Sequence, residues 1–355
     1  MGHVAFARRR YHCRRCGGGS IPLDEWAGVR RRSISPGARR VLTLAGASWS
    51  FDRASAHLKE FCHLSVSDDT IERVCQEQGE RARRWMAESD EPAKAFAAAA
   101  GAAEFSTDGV TVNTTGGWRE MRLTTLAKRR PASPCDPSEW AGRVLNEPAV
   151  RFSTCAIADA AHVGAGWKRL SGRMGLDAEP SVDVIADGAK WIWEQAAKRL
   201  PRHNGRWCVD VYHVSQHLHQ CGRELLGEGP AARAWAQRRL TAALEGNGPA
   251  LVALVESDAA AGPAAGPAGS GERRSLDRLL AYLNDNRDRM WYRDRLAAGL
   301  PIGSGMIEGG CKNTIGARLK LNNARWRIRR AERIGTLRSV DASGQWENFW
   351  KPAAA

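Results

Sequence analysis

The stretch Glu104-Phe-Ser-Thr-Asp108-Gly-Val-Thr-Val-Asn113 decides the fold. Its aromatic and β-branched residues predict a strand over 104–113, and Asp108 breaks that strand with a charge. A carboxylate in mid-strand is costly unless something ligates it. Outward from there, Thr115-Gly-Gly117 reads as a hairpin turn and Arg119–Lys128 as a second strand. Pro131–Pro137 is a loop and Phe152–Ala158 a third strand. His162–Met174 reads as a helix, and Ser181–Ala186 as a fourth strand ending at Asp187. Lys190–Leu200 is a further helix and Arg206–Val211 a fifth strand. This order predicts an α/β sheet with helices on both faces.

Three strands, a helix, a strand, a helix and a strand is the order of a ribonuclease-H-like core. Three acids beside glycine stand out against it: Ser-Thr-Asp108-Gly, Ile-Ala-Asp187-Gly and Ile-Gly-Ser-Gly-Met-Ile-Glu308-Gly-Gly. Scattered carboxylates that converge in space are what hard divalent cations need. Two Mg²⁺ ions about 3.5–4 Å apart can activate an attacking oxygen and stabilise a leaving one. The plain alternative is that these are ordinary turn acids, since Asp-Gly is a common turn pair. Asp210, in Trp207-Cys-Val-Asp210-Val-Tyr-His213, rivals Asp187 as second ligand. Counting strands favours Asp187, because the second acid of this fold lies on the fourth strand. Asp210 and His213 then fall on the fifth strand, at the sheet edge, as supporting residues or as a hydrogen-bonded structural pair. His217 and His219 follow along the next helix and offer only a weak metal pattern.

The 355 residues carry 53 Lys and Arg against 39 Asp and Glu, a net charge of +14. That excess favours an anionic polymer as partner. Arginines crowd the start (Arg8, Arg9, Arg10, Arg14, Arg15, Arg30, Arg31, Arg32, Arg39, Arg40) and again follow Glu308. Lys312, Arg318, Lys320 and Arg325 are candidate phosphate contacts, and Trp191 or Trp291 could stack on an unpaired base or simply pack. No run approaches the roughly 20 apolar residues of a membrane span. No apolar run follows the basic start, so a cytoplasmic, nucleoid-associated protein is expected. Most of the nine cysteines read as small buried hydrophobes, and a disulfide framework is not expected.

Residues 1–25 hold Cys13-Arg-Arg-Cys16, half of a zinc site, read either as Zn²⁺-bound or as a reduced loop. Residues 26–90 predict three helices, opened at Ser35-Pro36, Ser50 and Ser67-Asp-Asp, that fit a helix-turn-helix DNA-binding domain. Pro92–Ala103 reads as a linker helix within a core segment spanning 91–213. Residues 214–300 predict an all-helical insertion, with Ala259–Gly271 as a surface loop. In 301–338, Ser304 or Gly305 caps a helix that carries Glu308 and runs on as a basic helix to about Arg330, with Lys312 one turn past Glu308. Residues 339–355 form a tail.

At these residues the chain resembles bacterial insertion-sequence transposases of the ISKra4 type. The resemblance runs from Tyr11-His-Cys13-Arg-Arg-Cys16 through Ile21-Pro-Leu-Asp24-Glu25, Ser35-Pro36-Gly37, Ser106-Thr-Asp108-Gly and Val184-Ile-Ala-Asp187-Gly-Ala-Lys. It closes on Asp210-Val-Tyr-His213 and Ile302-Gly-Ser-Gly-Met-Ile-Glu308-Gly-Gly-Cys-Lys312, its most specific parts. It implies a metal-dependent DDE triad of Asp108, Asp187 and Glu308 using Mg²⁺ or Mn²⁺. It also implies an Asp- or Cys-x-x-His signature after the second aspartate, and an all-helical insertion before the final glutamate. Relatives carry a fuller cysteine cluster upstream, so the start of this chain departs from their pattern. The function expected is cleavage at the element's terminal inverted repeats and joining of a 3′-hydroxyl to target DNA, by a homodimer or larger assembly on double-stranded DNA. A nuclease or resolvase that cuts without joining, or a non-catalytic DNA-binding regulator derived from such an element, are the alternatives.

Overall fold

The computed structural model describes residues 5, 7–27, 29, 34–201, 207–261 and 271–351. Arg30–Arg32 of the first arginine cluster, Arg206 of the expected fifth strand and most of the Ala259–Gly271 loop lie outside the described residues. Among the described residues, no helix is long and apolar enough to cross a membrane. The chain divides into two compact units. The first gathers 1–89, 111–119 and 313–355, and the second gathers 90–110 and 120–312.

In the first unit, the three expected helices form as α1 (Pro36–Ser48), α2 (Phe51–Cys62) and α3 (Asp68–Glu88). The Ser35 hydroxyl accepts from Ala38 N–H and Ser67 from Thr70 N–H, satisfying donors that a helix start leaves open. Asp68 and Asp69 in the first turn of α3 add a favourable charge at the positive end of its dipole. Ser50 precedes α2 without capping it. Leu42, Ala54, Leu58, Ile71 and Val74 form the core, with Ile334 and Leu337 from the helix Ile328–Ala342.

The basic helix expected to run from Glu308 to about Arg330 is not continuous. The segment after Glu308 winds as a π-turn over Cys311–Gly316, then leaves helical geometry near Asn323, whose φ is 63°. Trp326 instead pairs with the chain around Thr114: its N–H donates to Asn113 O at 3.0 Å, and its carbonyl accepts from Thr115 N–H at 2.8 Å. Two strand-type hydrogen bonds and a buried indole replace the helical run that the charge pattern suggested.

A mixed five-stranded sheet forms the frame of the second unit, with the hairpin end of its first two strands (111–119) belonging to the first: β1 (Ala102–Thr114), β2 (Gly117–Arg129), β3 (Val150–Ala156), β4 (Val182–Ala186) and β5 (Cys208–Val209). The spatial order is β3-β2-β1-β4-β5. The two-residue turn Thr115-Gly116 makes β1 and β2 a hairpin, β3 runs antiparallel to β2, and β4 and β5 run parallel to β1 and β4. The parallel steps need crossovers, which α4 (Ala160–Met174) and α5 (Lys190–Arg199) supply. One sheet face is covered by α4, whose Trp167 packs edge-on to Phe105 and donates to the Thr124 hydroxyl at 2.9 Å. The opposite face carries Glu104 and Leu123, and is covered by the chain from Tyr292 through Met306.

The fifth strand is shorter than expected, and His213 is not on it. Asp210 caps a helix, α6 (Val211–Leu226), so that His213 lies in its first turn. The β-rich composition of 207–212 loses to a buried cap. α6 opens the helical insertion, followed by α7 (Pro230–Ala261) and α8 (Gly271–Asn286). α7 is interrupted at Asn247, whose φ is 62° and whose side-chain oxygen accepts from Arg293 N–H at 3.0 Å.

Candidate functional site

The strand registers bring the aspartates together. On β1 and β4 the Cα partners run Ala103↔Val182 to Ser106↔Ile185, and on β4 and β5 Ile185↔Cys208 and Ala186↔Val209. Continued by one or two residues, these registers set Asp108, in the middle of β1, beside Asp187 and Asp210, which directly follow the carboxyl ends of β4 and β5. In open α/β sheets that edge is where ligands bind.

Two glycines make the edge possible. At Gly109 a Cβ would fall on the Glu120 side chain, 2.7 Å from its Cγ. The free N–H of Gly109 donates to the Asp108 carboxylate at 2.6 Å. Gly188 holds φ at +97°, a backbone turn that disfavours any side chain. The turn lets the Asp187 carboxylate accept from Ala189 N–H at 2.9 Å, while Tyr282 OH donates to the Asp187 carbonyl at 3.1 Å.

Glu308 arrives on the short helix α9 (Gly305–Gly310). Ser304 stands at its start but does not cap it with its side chain. Its carbonyl accepts from Ile307 and Glu308 N–H, while its hydroxyl and its N–H both donate to Asp210. Asp210, His213 and Glu308 each offer one ligand atom, all within 4.8 Å of one another, as a carboxylate–histidine group able to hold a metal ion. Asp210 is fully buried, and the other two are half-buried.

The electrostatics join Asp108 to this group. Burial, aided by the charges of Asp187 and Glu308, raises the Asp108 carboxyl above its ordinary range, against the Gly109 hydrogen bond and His213. Cys311, one turn past Glu308, is pushed up to about 12 by burial and by the neighbouring Asp108 charge. His217 stacks on Tyr282 at 3.9 Å between ring centroids, and burial, with the nearby His213, lowers its pKa. Among the described residues, no lysine or arginine forms an ion pair with Asp108, Asp187 or Glu308. Asp108, Asp187 and Glu308 thus influence one another electrostatically. Among the described residues, however, the ligand atoms that come within 4.8 Å of one another are those of Asp210, His213 and Glu308, so the expected triad is not itself the group that converges.

Cys311, Tyr282 and Ser304 were missed by sequence reasoning as neighbours of the acids. Only Ser304 had a signal, its place before an apparent helix, and that pointed to the wrong partner.

The candidate phosphate contacts divide. Lys312, Lys320 and Arg325 are exposed. Arg318 is not available: it is 2% exposed, its Nε donates to Gly46 O at 3.0 Å, and its guanidinium lies over Phe51 and Trp326 at 4.7 and 5.0 Å. Burial lowers its pKa to about 10. It closes the carboxyl end of α1, where cations are favoured, instead of facing solvent. Trp191 packs between Trp167 and the Arg122 guanidinium, and Trp291 donates to Asp288 O at 2.6 Å.

At the other end of the chain, Cys13 and Cys16 are both exposed on a loop closed by the ladder of Tyr11–His12 with Gly19–Ser20. Cys13 N–H donates to Gly18 O and Gly17 N–H to Cys13 O, with Gly17 at φ +68°. Backbone N–H groups of Cys16 and Arg15 hydrogen-bond the Cys13 sulfur and lower its pKa, an arrangement that favours thiolate and suits a metal. No third cysteine, histidine or carboxylate joins this pair among the described residues.

Comparison with known proteins finds no matching family model and no matching curated relative.

Proposed function

We propose that the chain is a DDE transposase with a ribonuclease-H-like core, in which Asp108, Asp187 and Glu308 hold two Mg²⁺ or Mn²⁺ ions. One observation carries the reading: Asp108, Asp187 and Glu308, from distant parts of the chain, lie near enough to one another at a β3-β2-β1-β4-β5 sheet for the charges of the other two to raise the Asp108 carboxyl, and among the described residues no lysine or arginine pairs with them. A helical segment between β5 and Glu308, the Asp210–His213 pair and a net charge of +14 support the same reading.

Bound there, the ions would supply Lewis-acid activation of an attacking water or 3′-hydroxyl and stabilise the leaving oxygen. The chain does the rest. Asp108 and Asp187 are each fixed through one oxygen, by Gly109 and Ala189 N–H. His213, beside Glu308, is placed to hold a proton from the attacking group. Lys312, Lys320 and Arg325 present charge to backbone phosphates without reading sequence. α2 and α3 would bind terminal inverted repeats, and the Cys13–Cys16 loop would take Zn²⁺ in a complete ligand set. Cutting and joining two ends calls for a homodimer or larger assembly on DNA.

The test is a strand-transfer assay with pre-cleaved element ends, Mg²⁺ or Mn²⁺, and a target duplex. Joined product that disappears in Glu308→Gln is expected. Hydrolysis without joining would make the chain a nuclease or resolvase. DNA-dependent function that survives Glu308→Gln would make it a non-catalytic regulator. In the same system Lys320→Ala should lower the slope of log affinity against log salt by about 0.9, measured by titration at several salt concentrations.

A further inference from the structure

Asp210 is the most heavily engaged carboxylate near the candidate centre. It is 0% exposed. One oxygen accepts from Tyr212 N–H at 2.6 Å and His213 N–H at 3.4 Å. The other accepts from Ser304 N–H at 2.7 Å and from the Ser304 hydroxyl. A carboxylate offers about four lone-pair sites, and here all are filled by donors of the chain. A cation on Asp210 would have to displace one of them and strand a buried N–H or O–H.

The same bonds trace a path to two other residues. Asp210 holds His213 directly by its N–H. It holds Ser304 twice, and the Ser304 carbonyl accepts from Glu308 N–H at 3.1 Å. Beside them, Val211 N–H donates to Ile302 O at 3.0 Å, zipping the two segments together. The start of α6 and the loop entering α9 are thus joined through one side chain.

We propose that Asp210 is a positioning residue and not a cation ligand, fixing His213 and Glu308 at the separation the metal centre needs. This rests on the reading of Glu308 as a ligand. It divides the Asp210, His213 and Glu308 group by role: Glu308 holds the ion, His213 stands beside it to take a proton, and Asp210 holds both in place. It also gives Ser304 a function, as the partner through which Asp210 reaches Glu308.

The experiment measures Mn²⁺ binding to the full chain by electron paramagnetic resonance, in wild type, Asp210→Asn, Ser304→Ala, Ser304→Thr, the Asp210→Asn/Ser304→Ala double variant and Glu308→Gln. Thermal unfolding checks each fold. A positioning role predicts that Asp210→Asn and Ser304→Ala keep the wild-type number of bound ions but weaken affinity about 10–100-fold. The double variant should be no worse than the worse single one, because both changes cut the same link. Ser304→Thr, which keeps the hydroxyl, should bind as wild type does. A ligand role predicts the opposite: Asp210→Asn loses an ion as Glu308→Gln does, and Ser304→Ala binds normally. If Asp210→Asn does not fold, the serine pair decides, and unchanged affinity in Ser304→Ala overturns the proposal. Wild-type protein that binds no Mn²⁺ sinks the metal reading and this proposal together. Wild-type binding that Ser304→Ala leaves intact sinks this proposal alone.

Discussion

Glu104 and Asp183 face each other on β1 and β4; four residues further along the same strands stand Asp108 and Asp187. The two pairs share strands, spacing and chemistry, yet they live differently. At the first pair, Arg129 meets Glu104 at 2.9 Å and Arg295 meets Asp183 at 3.1 Å, so two acids and two bases balance in a buried block. Arg295 is 0% exposed and spends its Nε on Pro301 O at 2.7 Å. Burial raises the Glu104 carboxyl even so, with Arg129 opposing. At the second pair, Glu308 adds a third acid, and among the described residues no lysine or arginine pairs with it; His213 is the basic side chain nearby. A buried charge group with internal balance is a fastening. One without it carries a negative excess, which is the sign a bound cation would offset under the proposed function.

The contrast can be broken at either end. On the proposed function, Glu308→Gln removes a metal ligand at the unbalanced end, and strand cleavage should fall about a thousandfold, the several kcal/mol that metal-assisted charge stabilisation supplies. Gel assays on a labelled DNA end would read it, with circular dichroism reporting an intact fold. Arg295→Met breaks the balanced end. It leaves Asp183 buried without its partner and should cost about 3–5 kcal/mol of stability, seen as a lower denaturant midpoint. If the two variants exchanged effects, the division of labour between the ends would be wrong.

Finer tests address the deficit itself. At a Mg²⁺ or Mn²⁺ concentration of 100 Kd, the melting temperature should rise by roughly 5–10 °C, and this rise should vanish in Asp187→Asn. Asp108→Asn should raise the metal-free melting temperature at neutral pH by only about 1–2 °C, since solvent screens a half-buried group. The sign follows from the raised carboxyl of Asp108. Its contribution to stability is present below the ordinary carboxylate pKa and is lost as pH rises through the raised one. The gap between Asp108→Asn and wild type should therefore close as pH falls into the acid range, measured by calorimetry without metal.

Much of this was legible in the chain. The five strands and their crossovers followed from β-branched runs and helical periodicity, and Asp108 and Asp187 announced themselves as charges where strands should be apolar. What could not be read was decided by partners far away. Asp210 turned a β-rich segment into a helix start because Ser304, 94 residues on, shares its carboxylate. Arg318 sat in a run of basic residues that looked like one exposed face, but the carbonyl of Gly46 and two aromatic rings draw it inside. Charge runs report composition, and burial depends on contacts that no local window contains.

The thiols carry a practical consequence. Cys75, Cys208 and Cys311 are pushed up to about 12 by burial and Cys221 to about 11, which leaves them inert near neutral pH, including the one beside Asp108. Cys13 is exposed and its pKa is lowered. A maleimide dye or spin label should therefore attach at the amino-terminal loop before it reaches any of these four. The protein thus arrives with a chemical handle remote in sequence from its acids, and slow alkylation at that handle would itself report that a metal had taken the sulfur first.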